Sequence, residues 1–555
     1  MSFDDFCYVY ASHKNSNSSH TAAMKNKKSA KAKHKNAKLH KFVNEPPTNF
    51  DEPANRRAME RALEKIRSQL GGDYPAMIAG KEIWRDEKII SVNPCNYRQV
   101  VGTFAKSTID DAHAAIEAAS EAFEYWKYTP AKWRAKLLLK AADKIRRRKH
   151  EFSAAMVFEV GKNWAEADMD TAEAIDFLEY YARSAMQLAE EQAVTPAPKW
   201  LGKEKNKMVY IPLGVGVVLP PWNFPLAILC GMTSAALVTG NSVVLKPSPD
   251  APLIAQMFYE VMDEAGLPKG VLNLLHGGAE VGEALVAHPK TRFIAFTGSK
   301  AVGLRINEVA AKMQEGQKWI KRVIAEMGGK DAIIIDRDAD LEAAVEGVVV
   351  SAFGFSGQKC SACSRAIIDA KVYDKFLDRL VKKVETLKVG DAESNAPVTA
   401  VSSERAFEKI RAYIDIGRKE GRLIAGGTCD KSKGYFIAPT VFADVMPHAR
   451  IAQEEIFGPV LACIKAKDFD EALQIANDTE YGLTGSVYSQ NAKKLERAER
   501  EFFVGNLYLN RKCTGALVGV HPFGGFNLSG TCSKTGSEDY LLLFVQGKSI
   551  AERIA

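Results

Sequence analysis

Between residues 209 and 311 the chain repeats one pattern four times, a short apolar run followed by a segment with helical spacing. The runs at 215–219, 242–245, 271–275 and 291–296 predict strands; the stretches 225–239, 252–265, 279–287 and 299–311 predict helices. Continuous Val/Ile/Leu runs are apolar on both faces, which suits a parallel sheet covered by helices rather than a half-solvated antiparallel one. Four consecutive β–α steps therefore predict a doubly wound α/β sheet, an architecture that receives a ligand at the carboxyl ends of its strands. A second series begins after Trp319, with strands at 322–325 and 332–335, a helix at 341–353, a loop of small residues around Cys360, and a strand at 366–368. It continues to about Tyr508 and predicts a second α/β domain, as expected for 555 residues, too many for one core.

The flanks are of other kinds. Helical spacing recurs at 52–70, 130–148, 149–160 and 165–188, with short strands at 75–78 and 89–92. Ser107 with Asp110 three positions on reads as a capping box opening a further helix. Residues 194–208 carry two prolines and mixed charges and read as an excursion between cores; the apolar stretch 540–545 near the end looks suited to pairing with a neighbour. The formal charge of +7 is concentrated at the start, where Lys25 to Lys41 hold eight lysines and no acid. That stretch predicts a disordered basic arm over 1–45, able to touch nucleic acid or an anionic surface without specificity. Nine scattered cysteines, an odd number, predict a reducing compartment, the cytoplasm. The arm's basic composition also leaves mitochondrial targeting open, although it has no arginine before Arg56. No apolar run is long enough to span a bilayer.

Five short motifs carry possible chemistry. In Phe353-Gly354-Phe355-Ser356-Gly357-Gln358-Lys359-Cys360 a thiol sits among small residues, the setting a nucleophile needs if neighbouring N–H groups and cations are to favour thiolate. Pro221-Trp222-Asn223-Phe224-Pro225 follows a strand and offers an amide donor. Lys246 ends the next strand, and Phe296-Thr297-Gly298-Ser299 forms a strand-to-helix turn suited to phosphate. Glu326-Met327-Gly328-Gly329 puts a carboxylate beside glycines, a candidate base. Glu455-Ile456-Phe457-Gly458-Pro459 precedes a strand. Taken singly, each has a plainer reading: a small buried hydrophobe for Cys360, and a turn, a helix end or a solvated charge for the others. Cys360 and Cys363 form a C-x-x-C with no second pair nearby, so no metal site is expected.

In this order and spacing the motifs resemble the aldehyde dehydrogenase superfamily over roughly residues 50–550. The stretches 321–331, 351–365 and 514–525 further resemble the branch that oxidises L-glutamate γ-semialdehyde, formed from 1-pyrroline-5-carboxylate, to glutamate at the end of proline breakdown. The resemblance implies a Rossmann-like NAD-binding domain at 46–325 with an oligomerisation excursion at 190–208, a catalytic domain at 326–509, and an anchor loop and oligomerisation tail at 510–555. It implies Cys360 as nucleophile, Asn223 as oxyanion donor and Glu326 as base. Trp222, Lys246, Gly298, Ser299, Glu455 and Phe457 would hold NAD, while Ser361, Gly515, Ala516 and Phe523 would hold the substrate. Three residues past Lys246, where many members carry a ribose-binding glutamate, stands Pro249, which leaves NADP open beside NAD. Two alternatives accompany this reading: a general aldehyde dehydrogenase of different range, and a nucleic-acid-binding role for the arm, with no specific nucleic acid expected. The C-terminal strand and the excursion at 194–208 suggest pairing with another subunit, a homo-oligomer; association with a proline dehydrogenase is not legible.

Overall fold

Five parallel strands, Arg322–Glu326, Thr291–Thr297, Val215–Leu219, Ser242–Leu245 and Leu272–Leu274 in spatial order, form the larger part of a seven-stranded sheet in the computed structural model. The structure describes residues 41–190, 192 and 194–554. Of its two units, Met1–Lys41 and Phe42–Ala555, the first lies almost wholly outside the described residues, and with it residues 1–40 of the expected basic arm; the arm ends sooner than 45, since Asn44 Nδ2 and Glu45 N both donate to the Asp176 carboxylate, at 2.8 and 2.6 Å.

The strand order says where a ligand belongs. Val215–Leu219 comes first in the chain; the next two strands are laid to one side of it and the following two to the other. The order reverses between Val215–Leu219 and Thr291–Thr297, and a crevice opens beyond such a switch point. Asn223 follows the first of these strands, and Gly298 and Ser299 follow the second. Burial explains the strands: every residue of Val215–Leu219 and of Ser242–Leu245 is enclosed. The helix Ala227–Val238 is apolar apart from Thr233 and Ser234 and is buried along its length except at Ile228. Two short antiparallel strands, Ala76–Ile78 and Lys81–Ile83, finish the edge.

The second sheet, also seven-stranded, runs Arg422–Ala425, Thr440–Ala443, Val460–Ala466, Cys363–Asp369, Asp331–Ile335, Thr484–Tyr488, Asn506–Leu509, with only the first pair antiparallel. Its central strands Asp331–Ile335 and Cys363–Asp369 start beside the Cys360 loop.

Three expectations change. The strand at 322–325 does not open the second series; it pairs Phe293 with Arg322 through to Thr297 with Glu326 on the first sheet. Gly328 and Gly329 then carry the chain across to the second sheet. The capping box lies one residue later than expected, with the Thr108 side chain on Asp111 N and the Asp111 side chain on Thr108 N. The apolar stretch 540–545 faces its own core. Tyr540 stacks on Tyr181 with ring centroids 5.6 Å apart, Phe544 meets Phe293 edge-on at 5.4 Å, and Arg322 donates to the carbonyls of Leu542, Leu543 and Val545. Only then does the strand Val545–Arg553 leave to pair antiparallel with Glu204–Pro212.

Candidate active site

The helix Leu341–Phe353 stops at Gly354, and the chain turns through Phe355 (φ 49°), Ser356 (φ 54°) and Gly357 (φ 70°) before reaching Cys360. Left-handed backbone costs an L-residue about 1–2 kcal/mol, so two such residues in a row must be held by their surroundings. Ser356 Oγ donates to Thr399 O at 2.7 Å and accepts from Thr399 N at 3.2 Å, and Gln358 Oε1 accepts from Ser402 N at 2.8 Å. Gly357 has no substitute, because a Cβ there would collide with the Gly458 carbonyl. Strain kept at such expense is a mark of a working loop.

Cys360 stands in the wall between two cavities. One is lined by Trp222, Asn223, Gly298, Ser299, Glu455 and Phe457. The other is lined by Glu326, Ser361, Gly515, Ala516 and Phe523. Cys360 itself borders both. Twelve of the thirteen residues expected from the sequence thus meet around one thiol. Lys246 does not: its buried ammonium is turned onto the carbonyls of Pro247 and Gly277, at 3.0 Å each, and burial lowers it to about 8.

Asn223 is buried, and its Nδ2 donates to Gln358 O at 3.0 Å, so the amide already touches the nucleophile's loop. Glu326 ends its strand inside the second cavity. It accepts from Ser533 Oγ at 2.5 Å, Ser533 N at 3.2 Å and Gly525 N at 3.3 Å. Burial raises its carboxyl to about 7, and the donors from Ser533 and Gly525 oppose that rise. Glu455 Oε1 accepts from Gly329 N at 3.0 Å, and a Cβ on Gly328 would collide with the same carboxylate. Phe457, itself at φ 63°, meets Trp222 edge-on at 5.7 Å. Ser299 caps the helix Lys300–Ala311, accepting from Val302 N at 3.4 Å, and leaves that helix's N-terminus on the first cavity.

The expectation that nearby cations favour the thiolate is not met. Burial and the carboxylates of Asp331, Glu455 and Glu326 push the Cys360 thiol up, opposed by the Ser361 N–H. The adjacent Lys359 cannot help, because its ammonium is paired with Glu166 at 2.7 Å. Attack by Cys360 therefore needs a base to take its proton.

Several lining residues escaped the sequence reading. Glu173, on the helix Trp164–Leu188, faces the second cavity, where burial raises it to about 8 and Asp170 adds to the rise. A glutamate within an amphipathic helix gives no signal distinguishing it from a solvated one. Ser533, Thr535 and Tyr540 come from the tail, and Arg405 and Lys409 reach the first cavity from the helix Glu404–Glu420. Among the described residues no group of three metal-ligating side chains is placed to hold an ion.

Residues 84–550 match the model of the aldehyde dehydrogenase family. The chain belongs to that family. It is 58% identical over 513 residues to the 1-pyrroline-5-carboxylate dehydrogenase of Geobacillus sp. (strain WCH70), spanning 92% of this chain and 99% of the relative. Against the 1-pyrroline-5-carboxylate dehydrogenase 2 of Bacillus subtilis (strain 168) the identity is 55% over 513 residues, with the same coverage. Among solved structures, the 1-pyrroline-5-carboxylate dehydrogenase from Thermus with bound NAD superimposes with a TM-score of 0.91 at 53% identity, covering 93% of this chain and all of that one. The fold is the aldehyde dehydrogenase fold, and no helix among the described residues is long and apolar enough to cross a membrane.

Proposed function

We propose that the chain oxidises L-glutamate γ-semialdehyde to L-glutamate with NAD as hydride acceptor. The observation that carries this reading is the position of Cys360 between a cleft suited to a dinucleotide and a cavity suited to an amino-acid aldehyde. The cleft fits the cofactor by its lining: the N-terminus of Lys300–Ala311 with Ser299 and Gly298 for a pyrophosphate, the Glu455 carboxylate to accept from ribose hydroxyls, and the rings of Trp222 and Phe457 for the nicotinamide end. Lys246 would reach it only by leaving its two carbonyls. When bound, NAD accepts the hydride that the oxidation releases.

The protein's own groups do the rest. Cys360 Sγ attacks the aldehyde carbon as its proton passes to a base, giving a thiohemiacetal. The developing oxyanion is met by Asn223 Nδ2, released from Gln358 O, and by the Cys360 N–H; one such donor is worth about 3–4 kcal/mol. Loss of hydride leaves a thioester on Cys360. Glu326, turning from Ser533, then takes a proton from water, which attacks the thioester and frees the acid. The substrate's α-carboxylate meets Ser361 and the N–H groups of Gly515 and Ala516, where Gly515 has φ 82°. Its ammonium meets Glu173, whose charge, disfavoured by burial, is restored by that partner.

Two measurements test this. With NAD, glutamate semialdehyde should be preferred over an unsubstituted aliphatic aldehyde. Glu173→Ala should raise its KM about ten- to hundredfold while leaving that of the aliphatic aldehyde nearly unchanged, because one buried charge partner is lost. Equal rates on both aldehydes would instead make this a general aldehyde dehydrogenase. The pH dependence follows from Glu326 at about 7: only the ionised carboxylate is a base, so the single-turnover rate of deacylation should fall about tenfold per pH unit below that value and level off above it. A flat profile across the range from about 1.5 pH units below that value to about 1.5 above it would assign the base elsewhere.

We further propose that 46–325 is the cofactor-binding part, 326–509 the catalytic part and 510–555 the anchor loop and tail. The ribbon of Glu204–Pro212 with Val545–Arg553, beside the exposed Trp200, supports pairing of two copies. A cytoplasmic place is supported by the eight described cysteines, all free.

A further inference from the structure

Between the helices Lys149–Val160 and Trp164–Leu188 lies a buried ion pair that borders neither cavity. Lys162 Nζ donates to Asp170 Oδ2 at 2.7 Å, and neither side chain has any exposed surface. The ammonium lies 3.9 Å from the centre of the Phe224 ring and 4.9 Å from that of Phe355. Phe224 directly follows Asn223. Phe355 is the first left-handed residue of the turn that delivers Cys360. The other oxygen of Asp170 accepts from Ala227 N at 2.7 Å, at the start of the helix into which the Asn223 segment runs. One turn earlier on the same helix, Glu166 holds Lys359, the neighbour of Cys360.

We infer that Lys162 and Asp170 are positioning residues that set the Asn223 amide at its working distance from Cys360. The inference rests on the reading of Asn223 as the oxyanion donor. A buried ion pair is poor at adding stability, since desolvation of both charges offsets their attraction, and apolar residues of the same size would fill the space as well. Apolar contacts lack direction, however. An ammonium between two ring faces, anchored to a carboxylate that also holds a backbone N–H, joins the amide's segment, the nucleophile's turn and the helix Trp164–Leu188 in one arrangement. A donor acts only when it sits about 2.7–3.1 Å from the oxyanion's position, so this separation is where a strut has most effect on rate.

The test is a double-mutant cycle between the strut and Asn223. The double variant Lys162→Met, Asp170→Asn removes both charges while keeping the volume and an oxygen for Ala227 N. It should bind NADH normally and keep KM for aldehyde and NAD within about threefold, while kcat falls about tenfold or more, because only an interaction realised in the transition state is lost. In an Asn223→Ala background, the same two changes should cost less than about threefold, because the strut then has no donor to place. An equal loss in both backgrounds, or an unchanged kcat, would overturn the inference while leaving Asn223's role intact. If Asn223→Ala alone lowers kcat by less than about tenfold, the oxyanion reading fails and the inference falls with it. Should the double variant fail to fold, as judged by circular dichroism, Phe355→Leu removes one ring face with the ion pair left whole. It is read in the same cycle, by the same criteria.

Discussion

Replacing Cys360 by alanine should remove dehydrogenase turnover, lowering kcat by a factor on the order of 10⁴ or more, the scale on which a covalent nucleophile's loss is felt. NADH binding, followed by fluorescence, should stay close to that of the unaltered chain, because the groups lining the cofactor cleft come mainly from other segments: Trp222 and Ser299 from loops that follow strands of the first sheet, Glu455 and Phe457 from the loop before a strand of the second. The fold should also tolerate the change. Cys360 is half-buried, its side chain meets open cavity on both sides, and the turn that carries it is held by Ser356 and Gln358 rather than by the thiol. Loss of cofactor binding together with turnover would mean that the alanine had collapsed the turn, and the experiment would then speak of folding rather than chemistry.

Glu326→Gln should act on a different step. Attack and hydride loss precede the need for a water-activating base, so the variant should release one equivalent of NADH in a rapid burst and then turn over slowly, with a steady rate lower by about 10²- to 10⁴-fold. The amide that replaces the carboxylate keeps one carbonyl oxygen, able to accept from the Ser533 N–H and hydroxyl, and loses only the acceptor for Gly525 N, so the tail that closes over the cavity should keep its place. The variant's rate should also lose the ionisation near 7 that the carboxylate supplies. A variant that shows no burst would place the first proton transfer, from Cys360 itself, on Glu326 as well. That outcome has a physical basis in the raised thiol, which Glu326 helps to hold up.

How much of this was legible beforehand depends on the range of the interactions concerned. The strands Val215–Leu219 and Ser242–Leu245 announce themselves because enclosure on both faces demands an unbroken apolar run. The helix Leu341–Phe353 likewise ends where Gly354 stops it. Motif residues were found for a related reason: Asn223, Gly298 and Glu326 follow or end strands of one parallel sheet, so chain order alone brings them to one edge. What depends on distant partners was not legible. The stretch 540–545 is apolar whether it packs on a second copy or on Tyr181 and Phe293, and only the fold decides. Arg322–Glu326 could join either sheet until Phe293–Arg322 pairing is seen. Lys246 lies where a ligand-binding lysine is expected, yet its ammonium has found two carbonyls of its own. A cation beside the thiol in the sequence, Lys359, is committed to Glu166, a residue 193 positions away. Lys162 carried no sign of its contacts with Phe224 and Phe355 either, because ring faces leave no trace in spacing.

The most direct trial of a single centre shared by thiol, amide and carboxyl is to catch the thioester. Glu326→Gln is mixed with glutamate semialdehyde and NAD, quenched in acid within the burst, digested and read by mass spectrometry. A glutamyl group carried by the peptide that contains Cys360, in an amount matching the NADH released, is the result expected. NADH formed with no acylated peptide, or with the acyl group on another thiol such as the exposed Cys532, would contradict the account.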